Sequence, residues 1–184
     1  MSIPSRLGIA GVAVVGLLAG CTTSGYPSAT FTGSTVTSPP ASSAVPSSPT
    51  PTGAEAAVTK SVVDYYAWAN RVLIDPSVPV NEAANYLVDV APDNVLTAVE
   101  QRIVQFRADG YRQTGSSVTS VVSVTAADST YQARTCSDSS AVTVTDSKGA
   151  KVDSGATHAA ALYTLVKGVD GVWRISKIQG TGTC

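Results

Sequence analysis

Between residues 110 and 118 the hydrophobic period of this chain changes from 3.6 to 2, and that change limits the folds open to it. Upstream, Val58, Val62, Tyr65, Ala69, Val72 and Leu73 recur at three- and four-residue spacing, which places them on one face of a helix. That helix is expected to start just after Gly53, with Glu55 in the first turn, where a negative charge is favourable. Asp75-Pro76 should end it, because the residue before a proline is pushed out of the helical region. Asn81 is placed to cap a short second helix through Val90, with Leu87 and Val90 inward. Pro92 suits the first turn of a third, in which Leu96, Val99, Ile103 and Phe106 share a face and Asp109-Gly110 supplies the stop.

Downstream, Val118, Val122 and Val124 alternate with Thr119, Ser123 and Thr125, the pattern of a strand with one face buried. A second strand is expected through Tyr131, Ala133, Thr135 and Cys136, and a third through Val142 and Val144. Asp146-Ser147-Lys148-Gly149 reads as a turn. A long strand from His158 to Lys167 and a last one from Val172 to Gln179 are joined at Asp170-Gly171, which fits a two-residue type I′ hairpin. That turn would set Val166 opposite Ile175, Tyr163 opposite Ile178 and Lys167 opposite Arg174. Three helices followed by four to five antiparallel strands make an α+β fold, with helices packed on one face of a curved sheet. The sheet face not covered by helices would suit a docking partner, and a convex face carrying Tyr163, Leu165 and Ile178 would suit a dimer.

This order resembles the NTF2-like (cystatin-like) cone. The likeness is sharpest in the closing hairpin, Tyr163-Thr-Leu-Val-Lys-Gly-Val-Asp-Gly-Val-Trp-Arg-Ile-Ser-Lys-Ile178, with its turn and its Trp173. The domain also resembles secreted mycobacterial-type (actinobacterial) lipoproteins built on that cone, in which a mid-domain cysteine pairs with one at the C-terminus. The resemblance covers residues 54–184 and implies a fold; it says little about activity.

Residues 1–20 read as a lipoprotein signal peptide. A short basic start precedes an apolar run over residues 7–18, roughly 18 Å if helical, against the ~30 Å of a hydrocarbon core. Leu18-Ala19-Gly20-Cys21 is then a lipobox, and Cys21 the acylated first residue of the mature chain, with two or three acyl chains holding it on the membrane. Residues 21–53 form the anchor and a Ser/Thr/Pro-rich tether without a charged side chain, too poor in apolar residues to offset the entropy of ordering. As a flexible coil it would reach roughly 30 Å, and fully extended about 100 Å. The expected location is the extracytoplasmic face of a cell membrane, attached by lipid.

Of three cysteines, Cys21 is assigned to the lipid, which leaves Cys136 and Cys184 as an even pair in an oxidising compartment. A disulfide is the natural reading. The alternative is two buried free thiols, but a thiol on the last residue would hardly be buried.

Formal net charge is −1, which gives no electrostatic reason to expect nucleic acid as a partner. The single histidine, His158, rules out a multi-histidine metal site, and it lies near a strand start, where a solvated role is the simpler reading. There is no Gly-x-Ser-x-Gly elbow and no phosphate-binding glycine loop. No metal, cofactor or catalytic set is expected. Asp64, Tyr65, Tyr66 and Trp68 cluster on the first helix, and NTF2-like isomerases and dehydratases place carboxylates and tyrosines in the cone mouth. The resemblance therefore makes Asp64 with a Tyr an acid/base candidate, although neighbours on a helix diverge by about 100°. Tyr65, Tyr86, Tyr111 and Trp173 are candidates for lining a ligand site, with Tyr131 near them. The leading expectation is a non-catalytic module that docks on an envelope protein. The alternatives are a binding protein for a small apolar molecule or lipid, and an isomerase- or dehydratase-like enzyme.

Overall fold

A computed structural model describes residues 53–184; Cys21, the signal stretch and nearly all of the tether lie outside the described residues. Helix α1 (Gly53–Ile74) is followed by a 3₁₀ segment (Val80–Asn85) and helix α2 (Val95–Ala108). Seven strands follow: β1 (Arg112–Thr114), β2 (Val118–Ala127), β3 (Thr130–Asp138), β4 (Thr143–Thr145), β5 (Lys151–Val152), β6 (His158–Lys167) and β7 (Trp173–Gly182). They form an antiparallel sheet in the order β2-β3-β6-β7 and a small one in the order β1-β4-β5. The helices cover one face of the larger sheet, and this α+β architecture is the expected NTF2-like cone.

On α1 the buried stripe is Val58, Val62, Tyr65, Trp68, Val72 and Leu73, so Trp68 takes the inward place expected of Ala69. The helix ends at Ile74, where the Asp75 N–H closes on the Arg71 carbonyl. The Arg107 guanidinium of α2 donates to the carbonyls of Val72 (2.8 Å) and Val78 (2.9 Å), tying α2 to that end of α1 and to the loop after it. The second helix is therefore only a 3₁₀ turn. Its chain continues extended, and residues 86–88 lie along β7, with Val88 N–H on the Ile175 carbonyl (2.9 Å) and Ile175 N–H on that of Tyr86 (2.8 Å). This covers part of an otherwise open sheet edge. Val90 is accordingly exposed rather than inward, while Leu87 is buried.

Helix α2 does not begin at Pro92. The chain turns there, with a cis Ala91-Pro92 bond and a Val90–Asp93 bridge, and the helix starts at Val95. Its N-terminal donors are satisfied from upstream by Asp89, which accepts from Leu96 N–H (2.8 Å) and from the Thr97 hydroxyl (2.6 Å). The hydroxyl bond from Thr97 is the main reason that the Asp89 carboxyl sits below its ordinary range.

The sheet departs from two sequence expectations. In β2, a bulge between Val121 and Ser123 turns the alternation over, so Val118 and Val122 are exposed and Val121 and Val124 pack against the core. At the β6–β7 hairpin only Gly171 has positive φ (+80°), whereas a type I′ turn needs two such residues. The loop has three residues, Val169-Asp170-Gly171, closed by Gly171 N–H on Gly168 carbonyl and Gly168 N–H on Val172 carbonyl. Register is shifted by one: Leu165 faces Ile175, Val166 faces Arg174 and Lys167 faces Trp173. A bulge near Thr164 takes up the extra residue, so Tyr163 does face Ile178. The like-charge pair never forms, because Arg174 turns to Asp170 (2.7 Å) and the Lys167 ammonium lies 6.0 Å from the Trp173 ring centroid.

Tyr163, Leu165 and Ile178 point toward the helices, with Tyr163 and Leu165 buried. They are inner-face residues and so cannot form the convex dimer face expected from sequence. Cys136 and Cys184 are joined by a disulfide. Along one row of the sheet Cys136 pairs with Ala160, and Ala160 with Gly182. Strands two apart are separated by about 9.6 Å, yet the two cysteine Cα atoms are 5.8 Å apart. The last two residues therefore fold back over β6, from Gly182 at φ +107°.

Candidate functional site: a cavity between helices and sheet

Inner-face positions on β6 and β7 near the loop end of the sheet carry large side chains, Leu165, Ile175 and Tyr163. Toward the other end they carry Ala159, Ala161, Gly180 and Gly182, which also line a cavity of about 480 Å³. Too little side chain is supplied there to fill the space between sheet and helices. The opposite wall comes from α1, through Tyr65, Tyr66, Trp68 and Val72, and from α2, through Val99 and Ile103. A volume of this size lies within the range of small-molecule sites, which are mostly apolar with a few placed polar groups.

The polar groups include a chain of hydroxyls. Thr119 and Ser137 lie across β2 and β3 with their oxygens 2.9 Å apart. Ser137 donates to Tyr66 Oη at 3.0 Å, and Tyr66 Oη lies 2.5 Å from Tyr163 Oη. Tyr66 comes from α1, Tyr163 from β6 and Ser137 from β3, so the chain bridges helix and sheet layers. Burial raises the Tyr163 phenol well above its ordinary range, and burial does the same to Tyr65, so both are neutral hydroxyls at physiological pH. Trp68, wholly buried and lining the same cavity, has its indole Nε1–H without a partner. An orphaned buried donor costs roughly 1–3 kcal/mol.

Asn70 also lines the cavity, but both ends of its amide are engaged by Ser117: Nδ2 donates to the carbonyl (2.9 Å), and Oδ1 accepts from N–H (3.1 Å) and hydroxyl (3.1 Å). Asp93 lines it too and accepts from Lys177 at 3.3 Å. Arg102 contributes from α2.

Of the residues singled out from sequence, Tyr65 lines the cavity and is packed at 5.5 Å against Tyr66. Tyr86 stacks on Trp68 from outside the cavity (5.7 Å), Tyr111 packs on Phe106 (5.6 Å), and Trp173 meets Tyr131 edge-on (5.0 Å). None of these four is among the cavity-lining residues. Asp64 turns to solvent and pairs with Lys60 at 2.5 Å. His158 is half-exposed, 3.7 Å from Asp138, whose carboxyl is lowered chiefly by the Ser140 backbone N–H. Neither Asp64 nor His158 lines the cavity, so the acid/base pairing of Asp64 with a Tyr does not form there, and His158 is a solvated strand residue as expected. Among the described residues, no three His, Cys, Asp or Glu side chains come together as a metal site.

Sequence reading grouped Tyr66 with Trp68 but did not join them to Ser137 and Tyr163, since the four lie on three elements, α1, β3 and β6. A usable signal was present in Ala159-Ala160-Ala161 and Gly180-Thr181-Gly182, where inward positions of two adjoining strands carry almost no side chain.

No protein-family model matches the chain, and no curated protein matches it. Among solved structures, the intermembrane space region of the chloroplast protein ARC6 superposes with a TM-score of 0.55 at 12% identity, covering 72% of this chain and 100% of that one. A ketosteroid isomerase-like protein from Erwinia carotovora gives 0.47 at 17% identity, covering 71% and 96%. An NTF2-like superfamily protein from Salmonella enterica gives 0.48 at 8% identity, covering 70% and 93%. The first likeness is one of fold alone.

Proposed function

We propose that this chain is a lipid-anchored extracytoplasmic protein whose folded domain binds a small, mainly apolar molecule in the cavity, without catalysing a reaction on it. The observation that carries this reading is the cavity itself: about 480 Å³, walled by aromatic and aliphatic side chains. A binding role is favoured over an acid/base one because Asp93, the only carboxylate on its wall among the described residues, is engaged by Lys177. A dimer through Tyr163, Leu165 and Ile178 is not open to the chain, because these residues face inward. The anchor at Cys21 and the tether rest on the sequence.

The test is native mass spectrometry of the exported chain, with Ala161→Leu as a cavity-filling comparison. Wild type should retain a mass of a few hundred daltons or take up an apolar fluorophore, and Ala161→Leu should lose most of either signal. A domain that retains nothing and takes up no such probe would refute the reading. In the same export host, Cys21→Ser should move the chain from the membrane fraction to the medium, and unchanged membrane association would remove the anchor.

A further inference from the structure

The hydrogen-bond inventory of the cavity selects among apolar molecules. Each hydroxyl carries one proton. Thr119, Ser137, Tyr66 and Tyr163 thus bring four protons to a linear chain of three hydrogen bonds. Ser137 spends its proton on Tyr66, so Thr119 must donate to Ser137. If Tyr66 donates to Tyr163, the Tyr163 proton is left; if Tyr163 donates to Tyr66, the Tyr66 proton is left. Either way one phenolic O–H at the tyrosine pair has no acceptor, and both tyrosines line the cavity. The Trp68 indole N–H, two residues further along the same helix as Tyr66, is a second donor without a partner. On the wall the Asn70 amide oxygen is taken by Ser117, and the Asp93 carboxylate is paired with Lys177. The unspent protons therefore sit at the tyrosine pair and at the indole.

We propose that the cavity recognises an apolar molecule through an acceptor oxygen, a ketone, ester or other carbonyl, held by the free phenolic proton of the Tyr66–Tyr163 pair. A plain hydrocarbon would leave that donor buried and unpaired, and a protonated amine would bring only donors where an acceptor is needed. The inference rests on the cavity being the binding site.

The test uses two probes that share one skeleton: 6-propionyl-2-(dimethylamino)naphthalene, which carries a ketone, and 2-(dimethylamino)naphthalene, which lacks it. Both are titrated against the chain from Thr22 onward, exported so that its disulfide forms. The ketone should bind roughly ten-fold or more tightly than the parent. Its emission should be red-shifted relative to the same dye in an aprotic solvent, reporting a hydrogen-bonded carbonyl. Tyr66→Phe and Tyr163→Phe singly each leave a phenolic proton, so each should keep the preference, while the triple variant Tyr66→Phe/Tyr163→Phe/Ser137→Ala, which also removes the proton that Ser137 would otherwise free into the cavity, should lose most of it. Equal affinity of wild type for the two probes, or emission characteristic of an unbonded carbonyl, would overturn this inference and leave the cavity reading standing. Binding of neither probe would overturn the cavity reading beneath it. The wild-type comparison needs no variant to fold.

Discussion

Replacing both cysteines of the Cys136–Cys184 bridge by serine removes a cross-link between positions 48 residues apart. In the chain-entropy account, a loop of that length restricts the unfolded ensemble by about 4 kcal/mol. The native geometry adds a second reason to expect a full effect. Thr181, Gly182, Thr183 and Cys184 are all exposed, so little apolar burial holds the end of β7 once the bond is gone. Equilibrium urea unfolding of the oxidised protein and of Cys136→Ser/Cys184→Ser measures the difference. With a denaturant slope of about 2 kcal/mol/M, the midpoint should fall by roughly 2 M. Gly180, Gly182 and Thr183 line the cavity, so probe affinity should weaken in the variant at denaturant concentrations where it is still folded. A loss of stability below about 1 kcal/mol would refute the argument, since it would mean that β7 is held without the covalent tie.

Two glycines with the same backbone conformation should respond differently to alanine. Gly115 has φ +74° and an added Cβ would lie 1.9 Å from the Ala141 carbonyl oxygen, so thermal or urea denaturation of Gly115→Ala should show a loss of roughly 3 kcal/mol or more. Gly149, at φ +80° with nothing within 4 Å of the added atom, should lose only the left-handed strain of about 1 kcal/mol. At the hairpin tip, hydrogen bonds from Arg174 hold the Asp170 carboxyl down to about 2 from its ordinary 3.8. Its folded value is depressed, so its contribution to stability is present above pH ~4 and fades as pH falls toward 2. The group is exposed, so the contribution is small, and the sharper readout is a carbon-detected NMR titration of Asp170 with and without Arg174→Gln. The variant should titrate closer to 3.8, and an unchanged midpoint would mean that the ion pair does not persist in solution.

The sequence was most legible where a local rule and the tertiary environment agree. Period 3.6 on α1 and the proline after Asp75 place that helix to within a residue, because the side chains that form its stripe are also those buried under the sheet. It was less legible where one residue changes the parity of a strand. Val118-Thr-Ser-Val-Val-Ser-Val shows valines at several spacings, and only the bulge at Val122 decides which face each takes. The same ambiguity governs the hairpin: Asp170-Gly171 marks the turn correctly, yet Gly171 serves as the left-handed third residue of a longer loop, and the register slips by one. At α2 the cap comes from Asp89, six residues before Val95, and no pattern of adjacent residues announces it.

The cavity illustrates a different limit. Large aromatics draw attention in a sequence, and Tyr86, Tyr111 and Trp173 are prominent for that reason, but each finds another ring to pack on and closes its own space. A cavity in a close-packed interior forms where side chains are withheld, so its cause lies in residues that carry no chemistry. Ala159, Ala161, Gly180 and Gly182 are such residues. Their spacing of two on adjoining strands puts the missing volume on one face, directly between Tyr163 and the disulfide-bound end of the chain. Refilling that face, for example with Ala161→Leu, removes volume from the cavity and leaves the hydroxyl chain of Thr119, Ser137, Tyr66 and Tyr163 in place. Space and hydrogen bonding are thus encoded by separate sets of residues. A variant in one set tests whether the cavity binds, and a variant in the other tests what it prefers.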